Sequence, residues 1–391
     1  MKIYHCVESY YPAVGGMQEV VKQLSERLVK LGHEVTVLTR YHKDRVFSEL
    51  NGVKLKTFNI EGNPTEINSK EAQDYVDFLL NIEGDIVTFF AAQQWATNLA
   101  LPILNQIKAK KVSVPTGYSG LYWPEFKEYF EKMKTHIHGY DMNVYLSNDY
   151  RDINYARENK VDDSKIIIIP NGAAADEFLP ETKINIKKEL GIRENDFLLL
   201  LVGSYTGWKG HREAIEIFLK SKLSNATLLM IGNNYEYFKR QYIKHPSFGL
   251  RVFFNQLFGG KRIIFNYLKR EQTVAAYKKA NMFLFPSNVE CSPIVLFECA
   301  ASKLPFLSTD VGNSAEIASW TKGGEIMPTI KDDKGFSHAD INASAKALNE
   351  LYNNHSKRKT MAEDSFKIWQ EKYSWEVIAK DYETMYLNLL K

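Results

Sequence analysis

The chain has 391 residues, 45% hydrophobic and 25% charged, with a net charge of +3; that length favours two domains, the composition is that of an ordinary soluble globular protein, and so small a charge argues against a nucleic-acid partner. Cys6, Cys291 and Cys299 make neither a C-x-x-C pair nor an even disulfide framework, which fits a reducing cytoplasm. Lys2–Val7 is too short for the apolar core of a secretion signal, and no run reaches the roughly eighteen apolar residues of a membrane span.

Ile3–Val7 reads as a strand, followed by a loop with Gly15 and Gly16 and a helix carrying Val20, Val21, Leu24, Leu28 and Leu31 on one face. Gly32 ends that helix and Glu34–Leu38 is the next strand, a βαβ unit that predicts a parallel sheet. Glycines at such a turn let backbone N–H groups approach a phosphate, and they serve a plain strand-to-helix turn equally well. Further strands are expected at Val53–Phe58, Asp85–Phe90, Lys111–Pro115, Met142–Leu146 and Lys165–Ile169, with a helix at Glu71–Leu80. Gln93 and Gln94 follow the Asp85–Phe90 strand, at the edge where open α/β sheets bind ligands. Thr116–Trp123 is rich in glycine and aromatics. Its Tyr118, Tyr122 and Trp123 offer faces for a sugar ring or an apolar tail; packed inward, they would instead be core. Pro170-Asn171-Gly172 then breaks the pattern.

The pattern restarts at Phe197–Val202, a continuous apolar run. The turn Gly203–Gly210 leads into a helix at Glu213–Leu219 and includes Ser204 and Lys209, and a lysine there can pair with phosphate as a point charge. Its spacing is not that of a P-loop, and no G-x-G-x-x-G occurs, so neither a P-loop nucleotide site nor a dinucleotide cofactor is indicated. Ala226–Ile231 is a strand. The acid-free stretch 237–262 carries Lys239, Arg240, Lys244, Arg251, Lys261 and Arg262 among phenylalanines. It reads as a contact for an anionic membrane surface or as a solvated face over a core stripe. Strands at Ile263–Tyr267 and Met282–Phe285 flank a helix at Thr273–Lys279. A loop with Glu290 and Ser292 follows, and Pro293 fits the first position of the helix Ile294–Ala301. Glu298 is the one charge in that apolar helix, and burial of a carboxylate demands a partner or a ligand. Two carboxylates flanking a helix N-terminus whose N–H groups suit an anion match the groups of a nucleotide-sugar. As bland alternatives, Glu290 is a solvated loop acid and Glu298 an acid favoured by the helix dipole. Helices at Ala343–Tyr352, Ser356–Lys372 and Glu376–Leu390 close the chain.

Glu290 and Glu298 in E-x7-E, followed by a strand and T-D-x-G-x-x-x-E over Thr309–Glu316, resemble glycosyltransferase family 4. Gly15-Gly16, Asn171-Gly172, Lys209 and Ser374-Trp375 stand in the family's order, so the resemblance spans nearly the whole chain. It implies a GT-B fold: two Rossmann-like domains facing across a cleft. These would be an acceptor-side domain at 1–172, a nucleotide-sugar domain at 173–372, and a terminal helix at 373–391 crossing back. The implied reaction is retaining transfer from a nucleoside-diphosphate sugar, with UDP or GDP as the nucleotide. The acceptor would be a hydroxyl of a glycan or lipid-linked saccharide, in bacterial surface polysaccharide synthesis. It would run in the cytoplasm or at the inner membrane face. Glu290 would touch the donor sugar, Glu298 the ribose hydroxyls, and Gly15, Gly16, Gly203, Ser204, Lys209, Ser292, Pro293 and Ile294 the rest of the donor. Glu290 and Lys209 are the catalytic candidates. No metal or other cofactor is expected, since D-x-D, the usual metal-diphosphate anchor of the other main transferase fold, is absent. The sequence departs from the family twice: Ser204 stands where an Arg is usual, and Gln93 and Gln94 lie where many members carry a sugar-contacting His. A nucleotide-sugar epimerase and a non-catalytic partner subunit are the other classes this fold admits.

Overall fold

Short runs rich in Val, Ile, Leu and Phe alternate with amphipathic helices along the chain, and their strands pair almost entirely in parallel. The computed structural model describes residues 1–242, 249–250, 252–254 and 260–391. The chain forms two units: Met1–Asn171 together with Trp375–Lys391, and Gly172–Ser374.

In the first unit the strands are β1 (Lys2–Cys6), β2 (Glu34–Arg40), β3 (Glu49–Leu50), β4 (Val53–Phe58), β5 (Ile86–Phe90), β6 (Lys110–Val114), β7 (Met142–Tyr145) and β8 (Ile166–Ile168). Their order is β3-β4-β2-β1-β5-β6-β7-β8, antiparallel only at the β3–β4 edge. The second unit contains β9 (Phe197–Val202), β10 (Ala226–Ile231), β11 (Lys261–Asn266), β12 (Met282–Phe285), β13 (Phe306–Ser308) and β14 (Gly324–Ile326). These run all parallel in the order β11-β10-β9-β12-β13-β14, beside an antiparallel pair, β15 (Thr329–Lys331) and β16 (Ser337–Ala339). Leu198–Leu201 are fully buried, as expected of a parallel strand covered on both faces.

Both sheets are therefore wound outward from the middle. The chain lays down β1, β2 and β4 to one side before returning to β5, and β9, β10 and β11 before returning to β12. Between β1 and β5, and again between β9 and β12, the following loops diverge and leave a crevice at the carboxyl ends of the strands.

The predicted elements lie close to their expected positions, with three corrections. Pro293 precedes the helix as its N-cap, so Ile294 is the first helical residue. The helix expected at Ser356–Lys372 runs from His355 to Ile368 and ends in a π turn, Trp369–Tyr373, whose Trp369 indole donates to the Ala173 carbonyl. Helices at Lys127–His136, Arg151–Glu158 and Ser314–Thr321 were not anticipated, each being only eight to ten residues long.

The terminal helix Trp375–Leu389 packs within the first unit through a buried polar chain. Tyr386 Oη lies 2.7 Å from Thr88 Oγ1 and 3.5 Å from His5 Nε2, while His5 Nδ1 is 2.8 Å from Ser25 Oγ. Arg27 and His33 of the Gly16–Lys30 segment and its end pair with Glu376 and Glu383 at 2.8 and 2.7 Å. Burial lowers the His5 pKa from 6.5 to about 3. Between those values the unfolded chain binds a proton that the folded chain does not, so this contribution is complete above pH 6.5 and is lost as the pH falls. The stability advantage of the parent over His5→Gln is expected to shrink on acidification through that window, by up to about 1.4 kcal/mol per pH unit. Urea unfolding of both proteins at several pH values checks it; a difference that is constant with pH contradicts it.

Candidate active site

The loop after β9 and the loop after β12 rise from neighbouring strands at the switch point of the second sheet. Each delivers one charged group. Lys209 Nζ, from the first, lies 2.6 Å from Glu290 Oε1, from the second. Ser287 Oγ donates to the same carboxylate oxygen at 2.8 Å and Ser287 is fully buried, so the carboxylate is fixed from below. Lys209 and Glu290 remain partly exposed. Gly210, buried next to Lys209, adopts φ +65° and lies against the Pro286 carbonyl, which clamps the two loops together. Ser204 and Gly203 stand at the start of the first loop, half-buried, and Gly203 O faces His211 Nε2 at 3.2 Å. Ser292 and Ile294 are half-buried at the start of the Ile294–Ala301 helix, and Pro293 is buried. An ammonium, a carboxylate and a helix start thus lie on two adjoining loops, a set that suits a phosphate beside a polyhydroxyl group.

Glu298 is buried, as a lone charge in an apolar helix implied. It is the fifth residue of its helix, just past the first turn, and it is 3% exposed. The partner that its burial demands is Arg270, at the start of the Arg270–Lys279 helix: Arg270 Nη2 lies 2.6 Å from Glu298 Oε1. Arg270 Nε also donates to Glu177 Oε2 at 3.0 Å, and the guanidinium lies 5.5 Å from the Phe178 ring centre. The buried Tyr277 hydroxyl faces the Glu298 carboxylate without closing a hydrogen bond of normal geometry. Burial raises the Glu298 pKa, against the opposing pull of Arg270.

The family model described as Glycosyltransferase Family 4 matches residues 14–177, and that described as Glycosyl transferases group 1 matches residues 182–367. The chain belongs to glycosyltransferase family 4. The transferase is 24% identical over 99% of its length, and 98% of the relative's, to an uncharacterized glycosyltransferase of Methanocaldococcus jannaschii. It is 22% identical, over 100% of its length and 98% of the relative's, to the alpha-monoglucosyldiacylglycerol synthase of Acholeplasma laidlawii. The crystal structure of Anabaena HepE in complex with UDP and glucose matches with TM-score 0.77 at 14% identity, over 99% of this chain and 100% of that one. The fold of the transferase is accordingly GT-B.

In the first unit of the transferase, Gly15 and Gly16 begin the helix after β1, at the other switch point. Gly15 has an extended backbone, and a Cβ at Gly16 would meet nothing within 4 Å. The folded loop itself does not require glycine at Gly16. Gln93 and Gln94 are half-buried, and their side-chain oxygens accept from the backbone N–H of Gly120 and Glu8, at 3.2 Å each. Tyr118 is corrected outright. It is 3% exposed and packs edge-on against Phe130 and Tyr155, so it is core and closed to an acceptor. Tyr122 and Trp123 do face solvent, beside a cavity of about 600 Å³ also lined by Lys127, Lys134 and Arg151. The Arg151 guanidinium lies 5.4 Å from the Tyr122 ring centre. The loops after β5 and β6 hold four non-glycine residues at positive φ: Ala91, Gln93, Thr116 and Tyr118. Each such residue stores about 1–3 kcal/mol of strain, which persists where surrounding structure enforces a functional shape.

The basic stretch 237–262 is corrected in part. Lys261 is buried, its ammonium donating to the carbonyls of Phe218, Leu219 and Ser221, and burial lowers its pKa to about 8. Arg262 donates to the Gly191 carbonyl. Phe238 is core, whereas Arg240, Phe253 and Phe254 are exposed. Lys244, Phe248, Arg251 and Phe258 lie outside the described residues, as does the side chain of Lys239. Among the described residues, no helix is long and apolar enough to cross a membrane.

Arg270 and Glu177 were missed from the sequence. The signal available was indirect: an acid inside an apolar helix announces that some partner exists. Nothing local says which of many arginines it is.

Proposed function

We propose that the chain transfers a sugar from UDP- or GDP-sugar to a hydroxyl of a glycan or lipid-linked saccharide, with retention and without a metal. The observation that carries this reading is the Lys209–Glu290 pair at the switch point, ahead of the Ile294 helix start. Glu290 accepts hydroxyls of the donor sugar, Glu298 accepts those of the ribose, and Lys209 faces the diphosphate, with N–H groups of the Ile294 helix as neutral donors. The transition state is oxocarbenium-like, as in glycoside hydrolysis. The acceptor attacks on the face the leaving group departs from, and the departing phosphate takes its proton. Catalysis is then largely stabilisation of the growing phosphate charge. Tyr122 and Trp123 beside the first-unit cavity suit a saccharide acceptor, in keeping with a role in bacterial surface polysaccharide synthesis at the cytoplasmic face of the membrane. The Acholeplasma relative, named for a glucosylated diacylglycerol, gives lipid-linked acceptors the same footing.

Thermal melts with UDP, GDP, ADP and CDP, each with and without EDTA, test the donor. One uridine or guanosine diphosphate at a hundred times its Kd is expected to stabilise by about 2.7 kcal/mol, unchanged by chelator, and sugar transfer is expected to survive EDTA. Turnover abolished by EDTA and restored by Mn²⁺ would overturn the metal-free mechanism. Melts unmoved by all four nucleotides would overturn the donor.

A further inference from the structure

We propose that Arg270 is a positioning residue for nucleotide binding: clamped between Glu177 and Glu298, it holds the Glu298 carboxylate as the anion that accepts the ribose hydroxyls. This rests on the donor reading above and goes further, because it assigns a role to a residue outside the E-x7-E stretch. The geometry has three parts. Arg270 Nη2 meets Glu298 Oε1 at 2.6 Å, which ties a guanidinium to the buried carboxylate. Its Nε–Glu177 contact at 3.0 Å and the Phe178 ring fix the guanidinium from the other side, so it is pre-set instead of being recruited on binding. Glu177 and Phe178 belong to the short Ala175–Phe178 helix, so two separate elements converge on one arginine.

The charge balance explains why a cation is needed. Glu298 is almost completely buried, and a lone carboxylate there would take up a proton. The groups facing it are Arg270 and Tyr277 from the Arg270–Lys279 helix, its neighbour Cys299, and Glu177, whose negative charge works against ionisation. Cys299 and Tyr277 are neutral, burial raising both of their pKa values. Arg270 is thus the charged group in this set that favours the anion, and the Tyr277 hydroxyl adds a smaller pull in the same direction. A protonated Glu298 keeps one acceptor and offers an O–H where the ribose already has two donors, so it binds the pair of hydroxyls poorly.

The test is the affinity for whichever of UDP and GDP the parent binds, measured by titration calorimetry from pH 5.5 to 9. The variants are Arg270→Gln, Arg270→Lys and Glu298→Gln. Arg270→Gln is expected to bind about tenfold or more weakly at the acid end, as for a carboxyl displaced by one pKa unit or more. Its deficit relative to the parent closes as the pH rises and Glu298 ionises. Taking the ratio at each pH cancels the nucleotide's own titration. Arg270→Lys keeps the charge but cannot fork between two carboxylates, so it shows a smaller deficit with the same pH dependence, and it carries the test alone if Arg270→Gln does not fold. A deficit that is flat with pH, or absent, while Glu298→Gln loses binding overturns the proposal: Arg270 is then packing only. Parent-like affinity in Glu298→Gln instead sinks the ribose assignment itself, a distinguishable failure.

Discussion

Lys209→Ala is expected to lower kcat/KM by at least about a hundredfold, which is about 2.7 kcal/mol of transition-state stabilisation. A donor diphosphate carries about two negative charges, and bond cleavage adds to the charge on the leaving phosphate. Two cations usually meet that charge in the family, but Ser204 stands at the arginine position and donates a hydrogen bond without charge. Of the two arginines that could have moved in as substitutes, Arg262 is engaged with the Gly191 carbonyl, whereas Arg240 is exposed. Lys209 also meets Glu290 at 2.6 Å, so its removal takes that ion pair away as well. Lys209→Arg, which restores charge, should recover part of the loss, and Ser204→Arg should be tolerated and tighten donor binding. Steady-state kinetics decide the matter: a defect of only a few-fold in Lys209→Ala means that the phosphate clamp lies elsewhere.

Gly210→Ala is expected to destabilise the Gly172–Ser374 unit by about 3 kcal/mol, adding the strain of a left-handed residue to that of overpacking. At φ +65° an alanine is already strained, and its Cβ would come within 1.7 Å of the Pro286 carbonyl oxygen, a backbone atom that cannot turn aside. For a unit of this size the midpoint should fall by roughly 6–12 °C. Relief of the clash must push apart the loops that carry Lys209 and Glu290, so nucleotide affinity is expected to fall in the fraction that remains folded. Differential scanning calorimetry with a nucleotide titration reads both effects. A midpoint within a degree of the parent would show that the two loops are not held together here.

The fold was legible in the sequence because its signals are local. Apolar runs such as Phe197–Val202 alternate with helical stripes such as Val20-Val21-Leu24-Leu28, and that alternation permits little besides parallel α/β sheets. The ordered motifs from Gly15-Gly16 to Ser374-Trp375 then pointed to the family, and Glu290, Glu298 and Lys209 stand on loops and a helix recognisable from composition alone. What the sequence could not supply is whatever depends on contact between distant segments. Tyr118 and Tyr122 sit in one aromatic run, and only packing against Phe130 and Tyr155 turns the first inward while the second stays exposed. Lys261 read as one more surface cation until the end of the His211–Lys220 helix placed three carbonyls around its ammonium. Arg270 is the clearest case. The apolar helix around Glu298 shows that a partner must exist, since a lone buried carboxylate is too costly. Which residue fills that role is set by the sheet order that brings the Arg270–Lys279 helix beside Ile294–Ala301, a property of the assembled unit and of no stretch within it.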